Sequence, residues 1–597
     1  MIAIAALVFS FQLQVNQQIV VTASSLPETI ESTPASVTVI TRKDIEQRAA
    51  RDVADVLREV PGLTLARTGS PGKATSLFTR GAASTQTLVL WNGIEINDPY
   101  FSGFDWGRFS TAGVEQIEVV RGPYSALYGS EAMSGVVNVL TAPARSGLRA
   151  EVQSGARGLR NALLDATYVA GEAQISAAVE HRQDDGFNPN DDFRQNSGNL
   201  FAKWSPSKSF SIGLAGRHTS FNLGIPFNTS ADATRLVPSL HRRQSGNESL
   251  IAVPVIFGGS ELTLSQNKRR DDFTDPDDPF TTSTRTDSTS RRARWTTRSA
   301  ATAAGTFIVG AEYERQTVSD VTNLGPNFLD RKRTDRAFFA EDRYGRDLGA
   351  SRIELSLGIR NDRYTTFGSQ TSPRVAAAWI IGSGKFRAAY GQGFRAPSLG
   401  ELYYPFFGNA NLKAERNRSF EFGYDVAIGK LGLLSVTYFN SHYRDLITFD
   451  PTTFVSENLG RVRTDGIELG LQRELTASVY TALSYTFLHR AEDEDTGLRL
   501  ERRPKHTGSL FLGWRRGNVD ANVALLRAGA RIDSEAVFPF GRVTNKGYTT
   551  VDVSVQARFS GFTPFVKIEN LGNERYQEVF GFASPRRRAI AGLRFAM

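Results

Sequence analysis

The sequence predicts an all-β transmembrane barrel of roughly 22 antiparallel strands, filled by an N-terminal α+β domain. Three observations predict it. In RIELSLGIR (352–360), Ile353, Leu355, Leu357 and Ile359 alternate with Arg352, Glu354, Ser356, Gly358 and Arg360. VDVSVQARF (551–559) repeats the pattern, and such strands recur to the end, where Ala591, Leu593, Phe595 and Met597 share one face. This period of two puts lipid-compatible residues on one side and water-compatible ones on the other. Secondly, beyond the first fifteen residues no run of 18 apolar residues occurs, which excludes membrane-spanning helices but not strands. Thirdly, residues 148–597 divide into units of about 20, a strand of about 10 plus a connection, giving roughly 22 strands. A soluble sandwich or propeller would need an apolar core opposite those faces, and no blade-length repeat is present.

The front of the chain justifies the filling. Residues 1–17, beginning MIAIAALVFSFQLQ, carry the apolar middle of a secretory signal without a basic start. They are assigned as an export-signal remnant or a disordered lead. Residues 18–25 hold QIVVTASS, in which Ile19, Val20, Val21 and Thr22 are β-branched and prefer an extended backbone. Nothing beside this strip in sequence offers a partner strand, and Pro27 follows. Residues 26–142 read as a compact α+β domain. TRKDIEQRAARDVADVLREVPG predicts one helix ended by Pro61-Gly62, with Ile45, Val53, Val56 and Leu57 as its apolar face. The strands SLFTRG, TLVLWNGIEIN, VEQIEVVRGP and GVVNVLT follow. A barrel of about 22 strands would leak unless filled, and this domain is the natural plug.

Composition narrows the function. The absence of cysteine removes disulfides, thiol catalysis and cysteine metal sites. The formal charge of +8 is spread evenly rather than clustered, which fits an Arg-lined lumen better than nucleic-acid binding. GQGFRA (391–396) precedes Pro397 instead of a phosphate-binding helix, and no other catalytic motif occurs, so the chain is not read as an enzyme.

Six motifs then carry a family resemblance: IVVTA (19–23), DVLREVPG (55–62), LFTRG (77–81), VEQIEVVRGPYSALYGSEAMSGVVNV (114–139), FRAPSLGELY (394–403) with GNANLKAE (408–415), and IENLGNERYQ near the end. In this order the chain resembles the TonB-dependent outer-membrane receptors over nearly its whole length. The resemblance implies a monomeric transporter in the bacterial outer membrane, in contact with its lipids and lipopolysaccharide. Ile19, Val20, Val21, Thr22 and Ala23 would be the Ton box, which lies in the periplasm and adds as a strand to TonB, itself driven by an inner-membrane energising complex. Arg80 and Arg121 of the plug would lock to Glu421 and Glu468 of the barrel. Ligand contacts are expected on outward plug loops, at Ser84, Thr85, Asn97, Asp98, Tyr100, Phe101 and Ser102.

Plug-motif spacing, the IVVTA form and the compact length are most similar to the family's cobalamin receptors, with a ferric-siderophore or other metal-chelate ligand as the alternative. The six histidines are scattered, which argues against haem. No cofactor is required. Calcium is a candidate ion in outer loops, at Asp184, Asp185, Asp191 and Asp192, with a second acidic run at Asp271, Asp272, Asp275, Asp277 and Asp278. The terminal Phe595-Ala596-Met597 departs from the aromatic last residue usual in such barrels.

Overall fold

The computed structural model describes residues 19–20, 22–23, 28–143, 145–230, 232–405, 407–427, 432–450, 453 and 455–597. The expected export-signal remnant, Val21, Ser24 and Ser25 lie outside them.

The plug is built on a five-stranded sheet. Its strands are β3 (Ser36–Thr41), β6 (Thr87–Trp91), β7 (Ile94–Glu95), β8 (Gln116–Arg121) and β9 (Gly135–Leu140), in the order β3-β8-β9-β6-β7, with β6 and β9 parallel and the other pairs antiparallel. Asn92 and Gly93 join β6 to β7 with positive φ (50° and 80°), the conformation a two-residue hairpin turn requires. A separate hairpin pairs β4 (Leu63–Arg67) with β5 (Thr75–Thr79).

The single helix expected over 41–62 is two short ones, α1 (Arg42–Gln47) and α2 (Val53–Leu57). Ala49 takes a left-handed φ of 44°, and Asp52 bridges in an extended conformation to Ser110 before the chain turns helical again. The anticipated apolar face survives the break: Ile45, Val53, Val56 and Leu57 all enter the core between sheet and helices, beside Trp91, Trp106 and Ile117. Burial of those side chains outweighs the continuity of a solvent-facing helix.

Twenty-two antiparallel strands close around this plug. The first, Gly147–Gly155, pairs with the last, Arg588–Ala596, from Arg149↔Ala596 to Gly155↔Ile590. The side-chain alternation inverts the soluble-protein rule. In Ser351–Tyr364, Glu354, Ser356 and Arg360 are buried against the lumen contents, whereas Leu357 and Ile359 are exposed. Trp204, Trp379, Trp514 and Phe595 likewise face outward, as a lipid-facing band demands. Among the described residues no helix is long and apolar enough to cross a membrane.

The two ends of the barrel differ. One has tight turns, such as 171–172, 208–209, 258–259 and 517–518; the other has long connections, such as 225–242, 396–414, 529–547 and 570–587. Short turns mark the periplasmic side of such barrels. The N-terminal residues meet that side: Lys385, close to the turn at 382–383, donates to the carbonyls of Ile30 (2.8 Å) and Thr33 (3.2 Å).

Candidate functional site

Three places in the molecule combine the residues that the sequence singled out, and they lie in series from one end of the plug to the other.

At the short-turn end, the strip expected to lack a partner has one. β1 (Ile19–Val20) pairs with β2 (Glu28–Thr29) through Ile19↔Thr29 and Val20↔Glu28. Val20 and Ala23 are buried beside Val39, Val120, Tyr124 and Val136. Thr22 is satisfied at every polar atom. Its N–H (2.8 Å) and hydroxyl both donate to Glu118, its hydroxyl accepts from Asn138 Nδ2 (3.0 Å), and its carbonyl accepts from Tyr128 (3.0 Å). Burying Val20 contributes about 1.5–3 kcal/mol, and bonds to a carboxylate contribute about 1.5–3 kcal/mol. Ordering each residue costs about 1–2 kcal/mol. The balance is near zero, so the strip is held but displaceable.

In the middle, all four charged residues expected at a plug–barrel lock meet. Arg80 Nε and Nη2 grip both oxygens of Glu468 (2.8 and 3.1 Å), and Nη1 reaches Glu421 (2.6 Å). Arg121 Nε lies 3.2 Å from the same Glu468. Every member is at most 6% exposed. Four residues not foreseen complete the cluster. Arg387 of the barrel approaches Glu421 (3.5 Å) and bonds Asp425 (3.0 Å). Ser36 of β3 donates to Glu421 (3.1 Å). Gly62, at φ 82°, leaves room for Glu468, whose carboxylate oxygen lies 2.0 Å from where a Cβ would stand. Arg80 itself has a left-handed φ of 52°, fixed by its N–H to the Gly62 carbonyl (2.7 Å). Arg80, Arg121 and Arg387, with Lys385 also on Asp425 (3.2 Å), face Glu421, Glu468 and Asp425, and that pairing is what makes burial of so many charges tolerable.

At the long-connection end, the plug loop 97–104 presses against the barrel connection 396–414. Pro99 and Tyr100 carbonyls accept from the N–H groups of Leu399 (2.9 Å) and Gly400 (3.0 Å). A cavity of about 530 Å³ opens there, walled by Tyr100, Phe101, Phe273, Glu401 and Tyr404. Phe101 is 65% exposed above it. The Tyr100 hydroxyl bonds Asp320 and its ring stacks on Phe328 (6.1 Å).

The other expected contact residues serve the loop itself. Asn97 is turned inward, accepting from Val89 N–H (2.8 Å) and donating to the Thr87 carbonyl (3.1 Å) and to Glu131. Asp98 caps Tyr100 N–H (2.8 Å), and burial raises its pKa while Arg269 opposes the rise. Ser102 accepts from Arg395 (3.1 Å). Ser84 and Thr85 form a half-buried 3-10 turn against which Gly103 packs.

A second hollow of about 270 Å³ adjoins the first through Gln244 and is walled by Gly69, Ser70, Lys73, Asn188 and Phe227. Its plug loop, 68–74, was missed from sequence because TGSPGKA reads only as a turn.

The carboxylates considered for calcium are otherwise engaged. Asp184 bonds Arg588, Asp192 pairs with Arg243 (2.9 Å), and Asp191 takes Lys73 (3.3 Å) together with three amide donors of Phe187 and Asn188. Asp185 stands apart and exposed. In the second run, Asp271, Asp272 and Asp275 pair with Arg269, Arg285 and Arg242, and Asp277 with His241. Asp278 caps the N–H groups of Phe280 and Thr281 (both 2.8 Å). Among the described residues no group of three or more histidine or acidic side chains is arranged to hold a metal ion.

Two family models match the chain: "TonB dependent receptor-like, beta-barrel" over residues 138–571, and "TonB-dependent Receptor Plug Domain" over 29–136. Among solved structures, the siderophore receptor PirA from Acinetobacter baumannii superposes with a TM-score of 0.79 at 16% identity, covering 94% of this chain and 98% of that one. The ferripyoverdine receptor of the Pseudomonas aeruginosa outer membrane gives 0.79 at 15%, covering 97% and 89%. The ferric enterobactin receptor PfeA of the same organism gives 0.78 at 17%, covering 95% and 100%. At such identities the likeness is one of fold.

Proposed function

The chain belongs to the TonB-dependent receptors, a family of the bacterial outer membrane, and on that premise we propose that it imports a metal chelate of the siderophore class. In this reading the chelate settles in the vestibule on Tyr100 and Phe101, TonB captures residues 19–23, and force delivered through that strand remodels the plug. The observation that carries it is the series arrangement: an aromatic-walled cavity at one end, a buried ionic lock in the middle, and a displaceable strand at the other end.

The cobalamin expectation rested on motif spacing and length. The solved neighbours are siderophore receptors, and none of the similarities is specific to cobalamin. The larger cavity offers aromatic faces with hydroxyl, amide and carboxylate edges, which suits a chelate with an apolar flank and hydrogen-bonding rim.

Direct titration of the purified protein with ferric siderophores and with cyanocobalamin, each with and without calcium, tests the ligand. Saturable ferric-chelate binding is expected. Tight cobalamin binding without any chelate binding would return the ligand to the earlier expectation. Deleting residues 19–23 is expected to abolish uptake while leaving surface binding intact; uptake that survives would point to passive diffusion.

A further inference from the structure

The vestibule disfavours anions, although the chain as a whole carries a formal charge of +8. Among the described residues that wall it, Asp271 and Glu401 are the only charged ones, set between the aromatic faces of Tyr100, Phe101, Phe273 and Tyr404. Holding an anion in a partly enclosed hollow calls for free guanidinium or ammonium donors, and none lines this one.

The nearest cations are already divided among carboxylates. Arg269 Nε bonds Asp271 (2.6 Å) and lies 3.7 Å from Asp98. Arg395 holds both oxygens of Glu401 (2.9 Å each) and reaches Glu415 with the same fork (2.6 Å). Two guanidiniums thus serve four carboxylates. A fifth, Asp320, is fully buried beyond Tyr100. It accepts from the Tyr100 hydroxyl and from Asn327 Nδ2 (3.1 Å), and among the described residues it forms no ion pair. Two further arginines stand near this shell without lining the cavity: Arg333 donates to Gln316 Oε1 (3.0 Å) and to the Pro397 carbonyl, and Arg331 lies over the Tyr403 ring (4.8 Å).

The adjoining hollow follows the same rule. Lys73 donates to the Gly224 carbonyl (2.7 Å) and pairs with Asp191 (3.3 Å). Arg242 donates to the Phe227 carbonyl (2.7 Å) and pairs with Asp275 (3.0 Å). A ligand spanning both hollows meets cations that are all engaged.

Charge then separates the two main chemistries of ferric chelation. Three hydroxamates, each singly negative, neutralise ferric iron, and a pendant amine makes the complex a cation. Three catecholates, each doubly negative, leave the complex triply negative. Such an anion beside Asp271 and Glu401 would set like charges together with nothing to offset them, which is how a site excludes a competitor. The aromatic walls suit the hydrocarbon spacers that link hydroxamates.

Resting on the siderophore reading above, we propose that the vestibule selects its chelate by charge. It accepts neutral and cationic ferric tris-hydroxamates and rejects ferric tris-catecholates, with Asp271 and Glu401 as the specificity-determining residues.

Calorimetric titration of the full chain in neutral detergent tests this with three probes: a ferric tris-hydroxamate bearing a terminal ammonium, the same chelate with that amine acetylated, and a ferric tris-catecholate. The ammonium form is expected to bind about fivefold more tightly than the acetylated form, the effect of one unit charge about 4 Å from a carboxylate in water. The catecholate is expected to bind at least about a hundredfold more weakly than the acetylated form. The double variant Asp271→Asn, Glu401→Gln leaves Arg269 with Asp98 and Arg395 with Glu415, one carboxylate each. It is expected to bind the two hydroxamates equally and the catecholate about tenfold better than before. A merely structural defect would weaken all three probes together. Catecholate binding by the unmodified protein as tight as that of the acetylated hydroxamate overturns the proposal and leaves the siderophore reading standing. Binding of none of the three overturns both. An unchanged ranking of the probes in a double variant that keeps its heat-resistant barrel overturns the proposal independently.

Discussion

Replacing Glu468 by alanine removes the carboxylate that Arg80 grips with two nitrogens and Arg121 approaches with a third. Arg80 keeps Glu421, but Arg121 is left with Thr38 Oγ1 (2.8 Å) and the Pro61 carbonyl (3.2 Å), neither of them charged. Three arginines then face two carboxylates in a site nearly closed to water. Breaking a buried pair from one side costs about 3–5 kcal/mol. If the intact barrel persists, that cost falls on the plug's attachment, and local opening becomes about a hundredfold to several-thousandfold more frequent at about 1.4 kcal/mol per factor of ten. Amide hydrogen exchange reads it directly. The reporters are the Arg80 N–H, bonded to Gly62 O, the Gly62 N–H, bonded to Thr486 Oγ1 (2.8 Å), and the β4–β5 ladder. Exchange at these sites within about threefold of the unmodified protein, in a variant whose barrel remains closed, would refute the reasoning, since a third of that cost already predicts more than fivefold.

Gly62→Ala is expected to reproduce much of that phenotype, because the added Cβ meets Glu468 at 2.0 Å and the φ of 82° is itself strained; the same exchange sites report it. Thr22→Ala removes the hydroxyl shared by Glu118 and Asn138, and TonB's isolated periplasmic domain is expected to bind the variant more than about tenfold more tightly, at about 1.5–3 kcal/mol for the lost bond to a carboxylate. Burial, reinforced by the charge of Glu95, lifts the Glu131 pKa from 4.5 to about 8. A carboxyl with a raised folded pKa weakens the fold as pH climbs from its unfolded to its folded value, so plug stability is expected to fall between about pH 5 and 8 and level off above. Glu131→Gln, which can still accept from Asn97, is expected to flatten that slope in plug melting curves. Phe101→Ala truncates a ring that stands free over the vestibule, so chelate affinity is expected to drop about tenfold with no change in melting temperature.

The barrel was legible in the sequence because its rule is local. Alternation in 352–360 and 551–559 fixes which side chains meet lipid, and residue count fixes strand number to within a few. The lock was legible only through motifs. Arg80 and Glu468 are separated by hundreds of positions, and no periodicity links them. Arg387 escaped notice because it is one of many lumen-facing arginines, distinguished only by where Glu421 and Asp425 fall on the neighbouring strand. The pairing of Val20 with Glu28 leaves no trace in sequence, since two residues of ladder carry no pattern. The vestibule was half legible. Tyr100 and Phe101 wall the cavity, but Asn97 spends its amide on Val89 and Thr87, a fate decided by the β6–β7 turn.

The seam between the first and last barrel strands bears on how such a molecule can be assembled. Strand Gly147–Gly155 waits for Arg588–Ala596, hundreds of residues further along the chain, before the wall can close. Four of the wall's inward cations reach acids on the plug: Arg182 on Asp52, Arg149 on Glu46, Arg292 on Glu95, Arg343 on Glu28. A sheet that closed around nothing would leave Arg343 without its acid and would leave Arg149, Arg182 and Arg292 only their barrel acids, Asp165, Glu180 and the pair Glu312 and Glu314, whereas one that wraps the finished plug completes each pairing. The plug is then a mandrel as well as a stopper, and the order of closure is written into the charges of the wall.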